Sequence, residues 1–131
     1  MHPQTRLNLL MAMRGEAYTY ARYLLFADQA RACGRPDLAA VYEEAARAKR
    51  LEHFVALAAL VGLPGDEVAN LRLAIDAESF DVTAVYPALA AAALRYGDES
   101  AAALFTAIAR DSRSHLAVFQ AAVDTMALPA R

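Results

Sequence analysis

A single cysteine, Cys33, excludes an internal disulfide and any metal knuckle built on paired thiols. It reads as a small residue near a helix end rather than as a reactive thiol. Long apolar runs are also missing. The longest, around residues 54–63 and 85–94, fall well short of the roughly 20 residues that span a bilayer. The first six residues lack the charged-then-apolar order of a secretory leader, so a soluble cytoplasmic protein without a membrane partner is expected. The formal net charge is -2 and no basic stripe interleaved with aromatics occurs, which argues against a nucleic-acid partner. Nor is there a glycine-rich phosphate loop, a Ser-His-Asp arrangement or a cysteine-nucleophile pattern. Alternating, strand-like runs are absent, which leaves helices.

What is present is a 131-residue chain, 58% hydrophobic, with apolar residues recurring at three- and four-residue intervals. The spacing predicts an all-α fold of four helices. Helix one runs over about 5–33 and is stopped by Gly34 as a left-handed cap; Pro36 opens helix two, which continues to about 61. Gly62-Leu63-Pro64-Gly65 breaks the chain, and Asp66 caps helix three, which reaches about Tyr96 with a kink expected at Pro87. Helix four follows Gly97-Asp98-Glu99-Ser100 and ends before Pro129. The halves repeat: Glu16, Tyr23, Ala30, Gly34 and His53 have counterparts 62 or 63 residues on, among them Glu78, Tyr86, Gly97 and His115. Two copies of a helical hairpin, about 5–61 and 66–126, therefore form one bundle domain, since neither copy buries its apolar face alone.

Helical spacing traces the stripe each helix turns inward. On helix one it is Leu9, Met13, Glu16, Tyr20, Tyr23, Ala27 and Ala30. On helix three it is Leu71, Ile75, Glu78, Val82, Val85 and Leu89, with Asp81 one turn from Glu78; on helix four it is Phe105, Ile108, Ser112, His115, Phe119 and Ala122. Helix two leaves two registers open, one passing through Lys49 and Glu52, the other through Arg50 and His53. Either way, polar residues interrupt all four stripes at one level. Charges there need mutual compensation or a bound cation. Glu43 and Glu44, followed by Arg47 and Lys49, read as ordinary surface pairing along helix two. Tyr18, Tyr20 and Tyr23 read as core aromatics with a wet hydroxyl.

Gly15-Glu16-Ala17, Tyr23, Phe26-Ala27, Ala30 and Gly34, followed by Tyr42-Glu43-Glu44 and Ala46, resemble the first hairpin of rubrerythrins. Asn70-Leu71, Ala74-Ile75, Ala77-Glu78, Thr83 and Tyr86-Pro87 are similar to the start of the second. The resemblance implies a ferritin-like four-helix bundle holding a di-iron centre, with one Glu each from helices one and three, a further acid on helix three, and a Glu-x-x-His on helices two and four. Glu16, Glu78, Asp81 and His115 match those ligand positions. On helix two the motif becomes Lys49-x-x-Glu52 without a gap, or Arg50-x-x-His53 with one inserted residue; on helix four it becomes Ser112-x-x-His115. Both bridging carboxylates of the family pattern are thereby replaced.

Three readings of the cluster follow. In the first, no metal is bound, and Lys49 (or Arg50) with Ser112 substitutes for it among the acids. In the second, Glu16, Glu78, Asp81 and His115, with Glu52 or His53, hold one iron or other divalent ion. In the third, a di-iron centre runs an oxidative-stress peroxidase or oxidase. The first is preferred and implies a structural, interaction or sensing module without a cofactor, whose protein partner or reductant the sequence does not name. A homodimer with exchanged hairpins is also expected. Parallel second and third helices would require a linker of about 30 Å, whereas residues 62–65 reach only about 14–18 Å when extended. An antiparallel up-and-down arrangement is the alternative.

Overall fold

The computed structural model describes residues 1–127, with the side chain of Ala127 excepted. The described residues are all-α, as the periodicity predicts: α1 (Pro3–Ala32), α2 (Pro36–Ala48), α3 (Val55–Val61), α4 (Glu67–Phe80), α5 (Tyr86–Tyr96) and α6 (Glu99–Ala127). Two π-helical segments, Lys49–Phe54 and Asp81–Val85, join α2 to α3 and α4 to α5, so the backbone forms four continuous helical rods. The stop expected before Pro129 concerns a residue outside the described range. None of the described helices is long and apolar enough to cross a membrane.

The chain divides into two compact units, Met1–Pro64 and Gly65–Arg131. In the first, α1 runs against α2 and α3 as a hairpin. Arg6 Nη1, at the start of α1, donates to the Val61 carbonyl at the end of α3 (3.2 Å). The turn follows from Gly34, whose φ of 71° only glycine adopts without strain. Around it Gly34 N–H donates to the Arg31 carbonyl and Arg35 N–H to that of Ala30, so carbonyls left over at the helix end are satisfied. Gly97 repeats the arrangement with Leu94 and Ala93 in the second unit. Cys33 caps α1 and is exposed.

Small residues set how closely the rods approach. Ala39 is fully enclosed against Ala27 and Ala30, with Tyr42 alongside, and Met13, Ala58 and Val61 form a second cluster toward the open end. In the second unit Ala93, Ala102 and Ala109 are buried, the counterparts of Ala30, Ala39 and Ala46 at a spacing of 63. The stripe anticipated on α1 is the buried or half-buried one throughout. The surface pairing differs in one respect: Glu44 pairs with Arg47 on its own helix, but Glu43 reaches across the hairpin to Arg31.

The π segments account for the mixed repeat spacing. Glu16 and Glu78 are 62 apart, whereas Tyr23 and Tyr86 are 63 apart; the extra residue falls where the second unit turns π-helical, at Asp81–Val85. Conversely, Ala46 and Ala109 are 63 apart and His53 and His115 are 62 apart; the extra residue lies within Lys49–Phe54 of the first unit. A π turn absorbs one added residue without breaking the rod. Pro87, where a kink is expected, follows directly on the π segment as the second residue of α5.

Because Ala39 has no room for further atoms, Ala39→Leu should destabilise the protein by about 1–3 kcal/mol in urea denaturation. Exposed Val41→Ala, one turn-face away, should stay within about 0.5 kcal/mol of the parent.

Candidate functional site

Midway along α1, Glu16 sits on the buried face between the two apolar clusters of the first unit. Its side chain is only 21% exposed, so its charge must be answered locally. Both answers come from the π segment. Lys49 Nζ donates to Oε1 at 3.1 Å, and the Nδ1 of His53 lies 3.0 Å from Oε2. The two registers left open for helix two are therefore not exclusive. Lys49 and His53 are four residues apart and so share one face of the rod, and both side chains reach the same carboxylate, whereas Glu52 and Arg50 are exposed.

The second unit presents the related half of the pattern. Glu78 Oε1 lies 3.3 Å from Nδ1 of His115. Ser112, the counterpart of Lys49, is buried on α6 at 6% exposure. Asp81 opens the π segment and is half-buried. Within neither unit do three His, Cys, Asp or Glu side chains gather around one point among the described residues. Of the nine residues singled out in the sequence, the first unit joins Glu16, Lys49 and His53 and the second joins Glu78 and His115; Glu52 has no ion-pair partner among the described residues.

Beside the Glu16–Lys49 pair lies a cleft of about 310 Å³, lined also by Ala17, Tyr20, Arg50, Phe54 and Val55. Tyr20 was legible as a stripe residue, but Phe54 and Val55 were not, since their positions depend on the π turn. Next along the hairpin, Tyr23, Phe26 and Tyr42 form an aromatic cluster, with ring centroids 5.5–6.4 Å apart. Tyr86 and Phe105, at 6.3 Å, repeat its cross-helix pair at a spacing of 63.

Burial works against ionisation of Glu16, but hydrogen bonds from Lys49 and His53, together with their charges, outweigh it and hold the carboxyl below its ordinary range. Its folded value thus lies under its unfolded one. Such a group contributes stability above the unfolded carboxyl range, near pH 4.3–4.5, and loses it as pH falls through the folded value.

A family model described as rubrerythrin matches residues 8–123. A curated protein named rubrerythrin, from Porphyromonas gingivalis (strain ATCC BAA-308 / W83), is 34% identical over 124 residues. The match takes in 86% of this chain and 62% of that relative, so the chain spans less than two thirds of the relative's length.

Lys49→Met removes the stronger of the two partners of Glu16. The carboxyl should then titrate at higher pH, followed by the Glu16 Cδ chemical shift, and the acid-side loss of stability should begin at correspondingly higher pH. At neutral pH the cost should be about 1–2 kcal/mol, between that of an exposed pair and that of a fully buried one.

Proposed function

The chain belongs to the rubrerythrin family of the ferritin-like superfamily, and from that premise we propose that it is a member in which an internal ion pair replaces the di-iron centre. It acts in this reading as a structural, interaction or sensing module rather than as a peroxidase. The observation that carries the proposal is the Lys49–Glu16 contact. An ammonium group hydrogen-bonded to a first-ligand carboxylate already supplies the positive charge that a metal would bring, and it repels any cation approaching the same oxygens. The donor set points the same way. Two hard iron ions held a few ångströms apart need carboxylates that bridge them, and the two positions that should bridge carry Lys49 and Ser112. A lysine offers no lone pair while charged, and a serine hydroxyl is a poor substitute for a carboxylate. The residues present therefore do not fit a metal pair.

One observation favours a second reading, a single divalent ion in an oxidative-stress protein. Glu78 and His115 remain adjacent at 3.3 Å with Asp81 on the same rod, and the family places ligands at these positions.

Elemental analysis after iron-supplemented expression separates these cases. The ion-pair reading predicts well under one iron per chain; about two irons per chain would overturn it. Lys49→Glu combined with Ser112→Glu should raise iron uptake if the rest of the scaffold is competent.

The assembly proposed with this function is a homodimer with exchanged hairpins. Its support is the short connection: α3 ends at Val61 and α4 begins at Glu67, with Asp66 serving as the cap of α4. A dimeric mass in solution that becomes monomeric after insertion of about a dozen flexible residues following Gly65 is the expected result. A monomeric parent at micromolar concentration would exclude it.

A further inference from the structure

The 310 Å³ cleft of the first unit has features of a ligand site that the ion pair alone does not explain. Its walls are chiefly carbon: Ala17 and the Tyr20 ring from α1, Phe54 from the π segment and Val55 from the start of α3. Its polar groups are Glu16, Lys49 and Arg50. The first two neutralise each other through their 3.1 Å contact. Arg50 has no acid within ion-pair distance among the described residues, and it is exposed beside the cleft. With the Glu16 charge spent on Lys49, the lining carries one uncompensated positive charge, which excludes a metal cation as its occupant. A single guanidinium bordering apolar walls suits a monoanion with an apolar body, and its planar fork favours a carboxylate. The volume lies at the lower end for ligand pockets, so the occupant is a small molecule rather than a peptide or lipid chain.

From this we infer that the cleft between α1 and the π segment binds small apolar monocarboxylates, with Arg50 pairing the carboxylate and Tyr20, Phe54 and Val55 enclosing the hydrocarbon. The π segment supplies both sets of groups: Lys49 and His53 serve Glu16 while Arg50 and Phe54 border the cleft. The inference goes beyond the proposed loss of the di-iron centre and rests on it in one respect, since the Glu16 charge is spent on Lys49; iron content of the parent tests that reading separately from ligand binding.

The test uses the full chain titrated with 3-phenylpropionate, followed by calorimetry and by amide chemical shifts. Saturable binding with Kd on the order of 0.1–1 mM is expected for a ligand of this size, with shifts centred on Ala17, Tyr20, Phe54 and Val55. The neutral analogue 3-phenylpropan-1-ol should bind at least fivefold more weakly. Arg50→Gln should weaken the acid by about five- to tenfold, and Val55→Trp, which fills the cleft from an exposed position, should abolish binding. Circular dichroism should show both variants as helical as the parent, since both positions face solvent. Absence of saturable shifts, equal affinity for the acid and the alcohol, or unchanged binding in both variants would each overturn the inference.

Discussion

A carboxylate on the buried seam of a helical hairpin must be given a counter-charge, and the first unit is arranged around that requirement. Glu16 lies where the α1 stripe is otherwise Leu, Met, Tyr and Ala, and leaving it uncompensated would cost more than the neighbouring apolar contacts return. Lys49 and His53 supply the compensation from the opposite rod, one to each oxygen. Residues four apart lie on one face of a helix, so both side chains are presented to the same carboxylate. The apolar clusters on either side, Ala27–Ala30–Ala39 and Met13–Ala58–Val61, hold the two rods at the separation this contact needs.

The two π segments also connect the internal duplication to its divergence. Each unit carries one inserted residue that the other lacks, on opposite arms of the hairpin: the second arm in the first unit and the first arm in the second. The inserted residues lie next to the polar positions, while the glycine turns and the alanine contacts keep an unbroken spacing of 63. Scaffold and site have therefore changed separately. The hairpin turn and the alanine-mediated approach of the rods are common to both units, whereas Lys49 answers Glu16 in one and buried Ser112 stands at the equivalent place in the other.

Much of this was legible in the sequence. The all-α class, the breaks at Gly34, residues 62–65 and Gly97, and the buried stripe of α1 follow from periodicity and turn chemistry, which are local. The resemblance to rubrerythrins carried by Gly15-Glu16-Ala17 and Tyr86-Pro87 agrees with the family match over residues 8–123. The π segments were not legible as such: nothing in Lys49–Phe54 disfavours an α turn locally, and Pro87 signals a distortion beside Asp81–Val85 without giving its type; both show as a change of one in the repeat spacing. The open choice between the Lys49–Glu52 and Arg50–His53 stripes was resolved by tertiary contacts, with Lys49 and His53 both reaching Glu16, and the cleft at Phe54 and Val55 was not legible. The reach of Glu43 across to Arg31 is likewise a tertiary preference that spacing along one helix cannot reveal.

The central claim is that Lys49, and not a metal, is the counter-ion of Glu16. Anaerobic soaking of crystals in ferrous iron, with anomalous diffraction collected at the iron edge, tests it most directly. The account predicts Lys49 Nζ within hydrogen-bond distance of Glu16 and no anomalous peak within bonding distance of that carboxylate. An iron peak bonded to Glu16, with the Lys49 side chain displaced, would contradict it.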